Sequence, residues 1–183
     1  ALPLTNEGKG IFFEIINHEI FPGALLLVSG VCSGSDIMRG EEVQLLGLLD
    51  YVKPRGNIIF ILPGTHSKHA LFDGNKITGF TTFMTGEFFK VIQEHTIIAK
   101  SIEKPPPDFT DKKAFENGVY ESREGISLLN SVFKVRVQEV IGKMDKSENY
   151  HYLSGLLIGE ELKALQNLAF DNIYICGEPT IVK

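Results

Sequence analysis

Three short runs of apolar residues, each closed by turn residues, stand at the centre of the chain. Ile58–Leu62 (IIFIL) lies between Gly56 and Pro63 and reads as a buried strand. A second strand is expected over Lys68–Phe72 and a third over Lys76–Phe83, with Asp73-Gly74 between them as a strong hairpin signal. Together they predict a three-stranded antiparallel meander. Before it, Gly10–Ile16 and Ala24–Val28 read as short strands split by Phe21-Pro22-Gly23. The Gly- and Ser-rich stretch Gly30–Asp36 reads as loop. Asp36 is then placed to cap a helix carrying Ile37, Val43, Leu45, Leu46, Leu48 and Leu49.

After Glu87 the apolar spacing turns helical. One helix is expected from about Gly86 to Lys100, and further amphipathic helices over Lys112–Arg123, Ile126–Ile141 and Glu148–Phe170. Lys104–Asp108 (KPPPD) reads as a stiff linker. Gly155 and Gly159 stand four apart in the last helical stretch, which predicts close helix packing in a core. Phe170–Ile175 closes the pattern as a strand. Strand hairpins and helices mix along one chain, so the class is α/β or α+β, with a mixed sheet and flanking helices.

Composition narrows the function classes. A chain of 183 residues with 43% hydrophobic and 22% charged residues can bury a substantial core. A net charge of −5 implies no broad basic face for nucleic acid or anionic membrane. No apolar stretch reaches the roughly 20 residues of a membrane span, and the start, ALPLTNEGKG, lacks a signal-peptide pattern. A cytoplasmic protein is expected. Cys32 and Cys176 are far apart, and reduced thiols are expected. His66 and His69 are close in sequence but lack an evident third ligand, so no metal site is assigned.

Four stretches carry candidate chemistry. Gly64-Thr65-His66-Ser67-Lys68, between the first two central strands, offers backbone N–H groups, hydroxyls and an ammonium, which suits a phosphate. The same residues also make an ordinary polar turn, and they do not match a Walker loop. Arg39-Gly40-Glu41-Glu42 is either a solvated helix face or a catalytic pair. In the second case a carboxylate takes a proton from a hydroxyl and the guanidinium grips a carboxylate or phosphate. Thr82 and Met84-Thr85-Gly86-Glu87 suit either ligand contact at a helix N-terminus or plain capping by Thr82 or Thr85. Gly177-Glu178-Pro179-Thr180 is either a nucleotide turn or a β–α connection.

Taken in order, DIMRGEEVQLLG (Asp36–Gly47), LPGTHSKHA (Leu62–Ala70), TTFMTGEFF (Thr81–Phe89) and YLSGLLIGEEL (Tyr152–Leu162) closely resemble the 2-dehydro-3-deoxygalactonokinase family. The resemblance implies a ribonuclease-H-like, actin-like sugar-kinase lobe. It also implies ATP-dependent phosphorylation, with Mg²⁺, of the 6-hydroxyl of 2-dehydro-3-deoxy-D-galactonate in galactonate breakdown. On this reading Glu41 or Glu42 is the catalytic base. Arg39, Thr85 and Glu87 meet the sugar acid. Gly64, Thr65, His66, Ser67 and Lys68 hold the nucleotide phosphates, with Lys68 either adding charge there or facing solvent. Gly177 resembles the adenosine-side glycine.

The family's first phosphate loop, an Asp-Trp-Gly-Thr-Thr-like motif, has no match here, and the chain has no Trp. The resemblance therefore implies that residues 1–183 are mainly the second lobe of a two-lobe kinase, cut at both ends and inactive alone. The expected partner is a small-molecule sugar acid, with no nucleic acid and no membrane. A homodimer through the helical Lys112–Phe170 half is left open. The alternative is a non-catalytic sugar-acid or nucleotide-binding module of the same fold.

Overall fold

A computed structural model describes residues 2–5, 7–9, 11–20, 22–107 and 109–177. The chain forms two compact units. One runs up to Phe83 and takes in the stretch from Ala169 onward, and the other is Met84–Leu168.

The first unit holds strands β1 (Leu4–Thr5), β2 (Phe13–Asn17), β3 (Ala24–Val28), β4 (Val31–Ser33) and β5 (Asp36–Met38). Helix α1 (Glu41–Val52) follows, then β6 (Ile58–Leu62), β7 (Ser67–Phe72), β8 (Lys76–Phe83) and, from the far end of the chain, β9 (Asn172–Ile175). The main sheet has the order β1-β8-β7-β6-β9. β6 pairs antiparallel with β7, and β7 with β8. β9 runs parallel to β6, with Ile61 opposite Ile175. The sheet is therefore mixed.

All five residues of β6 are buried, as expected for a strand with an uninterrupted apolar run. Alternate residues Ile58, Phe60 and Leu62 share one core with Leu45 and Leu49 of α1, Leu4, Ile77 and Phe80. Phe60 lies at its centre, stacked on Tyr174 at 5.6 Å and edge-on to Phe72 at 6.2 Å. The turn between β7 and β8 is built by Asp73, whose carboxylate accepts the N–H groups of Asn75 (3.0 Å) and Lys76 (2.9 Å), while Gly74 takes φ 88°.

Two sequence expectations are corrected in this unit. The stretch Gly30–Asp36 is not all loop: Val31 pairs with Met38 and Cys32 with Ile37 in a small hairpin. Asp36 therefore does not cap α1. The helix begins five residues later, behind Gly40 at φ 111°, a left-handed conformation that favours glycine. The β2–β3 ribbon leaves Phe13, Ile15, Leu25, Leu26 and Leu27 exposed. Cys32 and Cys176 are free.

The second unit comprises α2 (Thr85–His95), a 3-10 segment (Ile97–Ser101), α3 (Lys112–Glu124), α4 (Leu128–Val140) and α5 (Lys146–Leu162), followed by a short 3-10 turn (Lys163–Leu165). α2 is shorter than expected because Thr96 is extended, at φ −117° and ψ 172°. The Thr96 hydroxyl donates to the Ile92 carbonyl (2.7 Å) and accepts the Ile98 N–H (3.2 Å), so it serves both the helix end and the next turn. α5 starts earlier than expected, at a capping box. Asp145 accepts the N–H groups of Ser147 and Glu148 at 2.8 Å each, and Glu148 accepts the Asp145 N–H at 2.7 Å.

Ile92, Ile98, Val135, Tyr152, Leu153 and Leu156 form this unit's core. Buried Asn149 donates to the carbonyls of Ser101 and Val135, both at 3.1 Å. α3 and α5 meet through glycines: a Cβ on Gly118 would overlap the Tyr152 carbonyl oxygen, and one on Gly155 the Phe115 carbonyl oxygen. The glycine pair expected to pack closely does so. Lys104–Pro107 lies within this unit without regular structure, and Asp108 is outside the described residues. No described helix is long and apolar enough to cross a membrane.

Candidate active site

The candidate residues of the first unit gather at one end of its sheet. β6 and β9 run parallel, so their C-terminal ends coincide, and the Cys176 N–H donates to the Ile61 carbonyl at 2.9 Å. In open α/β sheets ligands bind outside such ends. The loop after β6 and Gly177 after β9 both emerge there, while Glu178-Pro179-Thr180 lies outside the described residues.

In that loop Gly64, Thr65 and His66 are exposed, whereas Ser67 and Lys68 are buried at the start of β7. A Cβ added to Gly64 would meet nothing within 4 Å. The chain itself therefore gives no packing reason for a glycine at that position, and the loop backbone is open to approach. Lys68 does not face solvent. It is 4% exposed, its Nζ donates to the His66 carbonyl at 3.1 Å, and it forms an ion pair with Glu41 Oε1 at 3.1 Å.

Glu41 and Glu42 occupy the first turn of α1, where carboxylates favour the helix dipole. They differ in setting. The Glu42 carboxylate accepts the Gly40 N–H at 2.7 Å, and the residue is only 1% exposed. The Glu41 side chain keeps 26% of its surface, accepts the Arg39 N–H at 3.1 Å and faces Lys68. Arg39, just before Gly40, is exposed.

Asp36 and Thr82 tie this corner to the sheet. Asp36 accepts the Thr82 N–H at 2.6 Å, the Thr82 hydroxyl at 2.7 Å and the Ile37 N–H at 2.8 Å. Burial by itself raises the Asp36 carboxyl. The Thr82 hydroxyl and N–H, the Ile37 N–H and the Lys68 ammonium outweigh it and hold the group below the ordinary aspartate value. Thr82 is also the β8 partner of Lys68 across the ladder. Glu41 thus pairs directly with the buried Lys68 ammonium, and Asp36 lies near enough to feel its charge.

The second unit holds Thr85 and Glu87. Neither Thr82 nor Thr85 caps α2: the N-cap is Met84, without a side-chain hydrogen bond. Thr85 instead donates its hydroxyl to the buried carboxylate of Glu161 on α5. Glu161 escaped the sequence reading because its partner is 76 residues away. Its only trace was its place in the run YLSGLLIGEEL. Asp36 escaped in the same way, since a short Asp before an apolar stretch reads first as a cap.

The chain matches the family model described as 2-keto-3-deoxy-galactonokinase over residues 11–183. It is 31% identical over 145 residues to the 2-dehydro-3-deoxygalactonokinase of Escherichia coli (strain K12), an alignment covering 77% of this chain and 48% of that protein. It is 37% identical over 128 residues to a Rhizobium meliloti (strain 1021) protein named "Probable 2-dehydro-3-deoxygalactonokinase DgoK1", covering 69% and 42% respectively. Among solved structures, that of a "putative 2-dehydro-3-deoxygalactonokinase protein" from Sinorhizobium meliloti superposes with a TM-score of 0.75 at 27% identity, covering 89% of this chain and 56% of the other. The chain spans about half the length of the curated relatives it matches. With a family match over nearly its whole length, the chain belongs to the 2-keto-3-deoxy-galactonokinase family.

Proposed function

We propose that the protein carrying this chain is an ATP-dependent kinase that phosphorylates the 6-hydroxyl of 2-dehydro-3-deoxy-D-galactonate, on a ribonuclease-H-like, actin-like fold. The observation that carries the reading is local. A partly exposed carboxylate, Glu41, and an open glycine loop, Gly64–His66, are connected through Lys68, which pairs with the first and bonds the backbone of the second. Family membership supplies the reaction class.

Phosphoryl transfer asks a protein mainly for positioning and charge neutralisation. The loop N–H groups and the Thr65 hydroxyl are suited to the β/γ-phosphates of the nucleotide. Gly177, at the same sheet end, is suited to the adenosine side. Bound Mg²⁺ would neutralise phosphate charge, held mainly by those phosphates as Mg²⁺ commonly is. Arg39 is suited to a two-point grip on the substrate carboxylate. Glu41 is favoured over Glu42 as the base because it keeps accessible surface, whereas Glu42 is enclosed and already accepts the Gly40 N–H. Glu41 would orient the attacking hydroxyl and accept its proton.

A coupled ATP-consumption assay on the full gene product, with a panel of 2-keto-3-deoxy sugar acids, tests this proposal. Turnover with 2-dehydro-3-deoxy-D-galactonate well above the other acids is expected. Binding of a sugar acid without ATP consumption would favour the non-catalytic module instead.

A further inference from the structure

Lys68 has the chemistry of a phosphate ligand but not the exposure. Its ammonium is enclosed, and it contacts groups inside the unit: the Glu41 carboxylate at 3.1 Å and the His66 carbonyl at 3.1 Å. A second carboxylate, Asp36, lies close enough for the Lys68 charge to lower its pKa, and it is itself fixed by Thr82. An ammonium that is 4% exposed and so placed is poorly disposed to leave its partners for a nucleotide, because an uncompensated buried charge is costly. The exposed part of the loop is Gly64–His66, which precedes it.

We propose that Lys68 is a positioning residue that locks the Glu41 carboxylate to the backbone of the Gly64–His66 loop, and does not bind phosphate. Its ammonium serves two elements that the sequence separates by more than twenty residues, the first turn of α1 and the loop that precedes β7. The distance between the base and the loop is thereby set before any substrate arrives. This rests on the reading of Glu41 as the base. A misplacement of about 1 Å at such a group can cost on the order of a hundredfold in rate.

The test has two arms. In the first, urea midpoints are compared for the full gene product and its Glu41→Gln, Lys68→Met and double variants. Glu41→Gln leaves a buried ammonium without its carboxylate, so adding Lys68→Met is expected to recover part of the lost midpoint. Additive losses would overturn the pairing. In the second, Lys68→Met and the charge-preserving Lys68→Arg are assayed in the full gene product. A positioning role predicts kcat down at least about tenfold in both, with KM for ATP within about twofold of wild type. A phosphate grip predicts that Lys68→Met raises KM for ATP tenfold or more and that Lys68→Arg keeps near-wild-type activity. That result would sink the proposal. If Lys68→Met does not fold, Lys68→Arg alone decides this arm. If Glu41→Gln keeps wild-type kcat, the base assignment falls, and the urea cycle still decides whether Lys68 and Glu41 act as a pair.

Discussion

Gly155→Ala and Gly47→Ala make the same chemical change on two helices and are expected to act in opposite directions. In a helix interior alanine is favoured over glycine by about 0.8–1 kcal/mol. At Gly47, an exposed position in the middle of α1, a new Cβ meets nothing within 4 Å, so the full propensity gain is expected. At Gly155 the new Cβ would lie 2.8 Å from the Phe115 carbonyl carbon and 3.1 Å from its Cα, and closer still to its oxygen. These are backbone atoms, and no side-chain rotation relieves them. α3 must move off α5, which loosens the contacts around Tyr152 and Leu156. Overpacking a core typically costs about 1–3 kcal/mol, and a rigid obstacle puts this site in the upper half of that range. Subtracting the propensity gain leaves a net loss of about 1–2 kcal/mol. Urea unfolding followed by far-UV circular dichroism should then show a midpoint lowered by on the order of 0.5–1 M for Gly155→Ala. It should show a slightly raised midpoint for Gly47→Ala. If both variants move up together, the close α3–α5 approach is refuted.

Three further expectations follow from the titrating and capping groups. The Asp36 carboxyl is held below its ordinary value, so its contribution to stability is full above the unfolded aspartate pKa of about 4 and is lost as pH falls through the lower folded value. Asp36→Asn should therefore flatten the pH dependence of the urea midpoint below about pH 4, and an unchanged slope would contradict the Thr82 clamp. Burial first, and then the nearby Glu121 carboxylate, push the Tyr152 phenol up to about 12, with Gln138 opposing. The folded state then holds its proton more tightly than the unfolded chain, so stability present below about pH 10 should drain away between about pH 10 and 12. Tyr152→Phe should remove that loss, and the late phase of the tyrosine titration followed at 295 nm should shrink in the variant. Asp145→Ala breaks the capping box and should cost about 1 kcal/mol, read as a lower thermal midpoint, while Asp145→Ser should cost less.

Much of the fold was legible because local chemistry and tertiary structure agree. The Ile58–Leu62 run is apolar throughout because the strand is buried throughout, and Asp73-Gly74 turns because its carboxylate and its glycine do so unaided. Gly155 and Gly159 stand four apart, the spacing that lets two helix backbones approach, and both pack closely against α3. The errors fall where a long-range partner decides. Asp36 has the chemistry of a helix cap, but Thr82, 46 residues away, claims it, and the helix waits for Gly40. Val31–Ser33 and Asp36–Met38, three residues each, are too short to signal strands, and only their mutual pairing makes them so. Thr85 meets Glu161 across 76 residues, which no local pattern encodes. At the site, sequence could name Arg39, Glu41, Glu42 and the Gly64–Lys68 loop but could not rank them. Ranking needed burial: Glu42 and Lys68 turn inward, while Glu41 and Gly64–His66 keep a face to solvent.

The measurement that bears most directly on the central claim is kcat for the proposed phosphorylation of 2-dehydro-3-deoxy-D-galactonate, measured on the full gene product and compared between Glu41→Gln and Glu42→Gln. Proton removal by a positioned carboxylate is ordinarily worth about 10²–10⁴-fold. Glu41→Gln should lose activity in that range with its fold intact. Glu42→Gln should lose far less kcat and show its effect mainly as a lowered unfolding midpoint. A folded Glu41→Gln enzyme turning over at the wild-type rate would contradict the account.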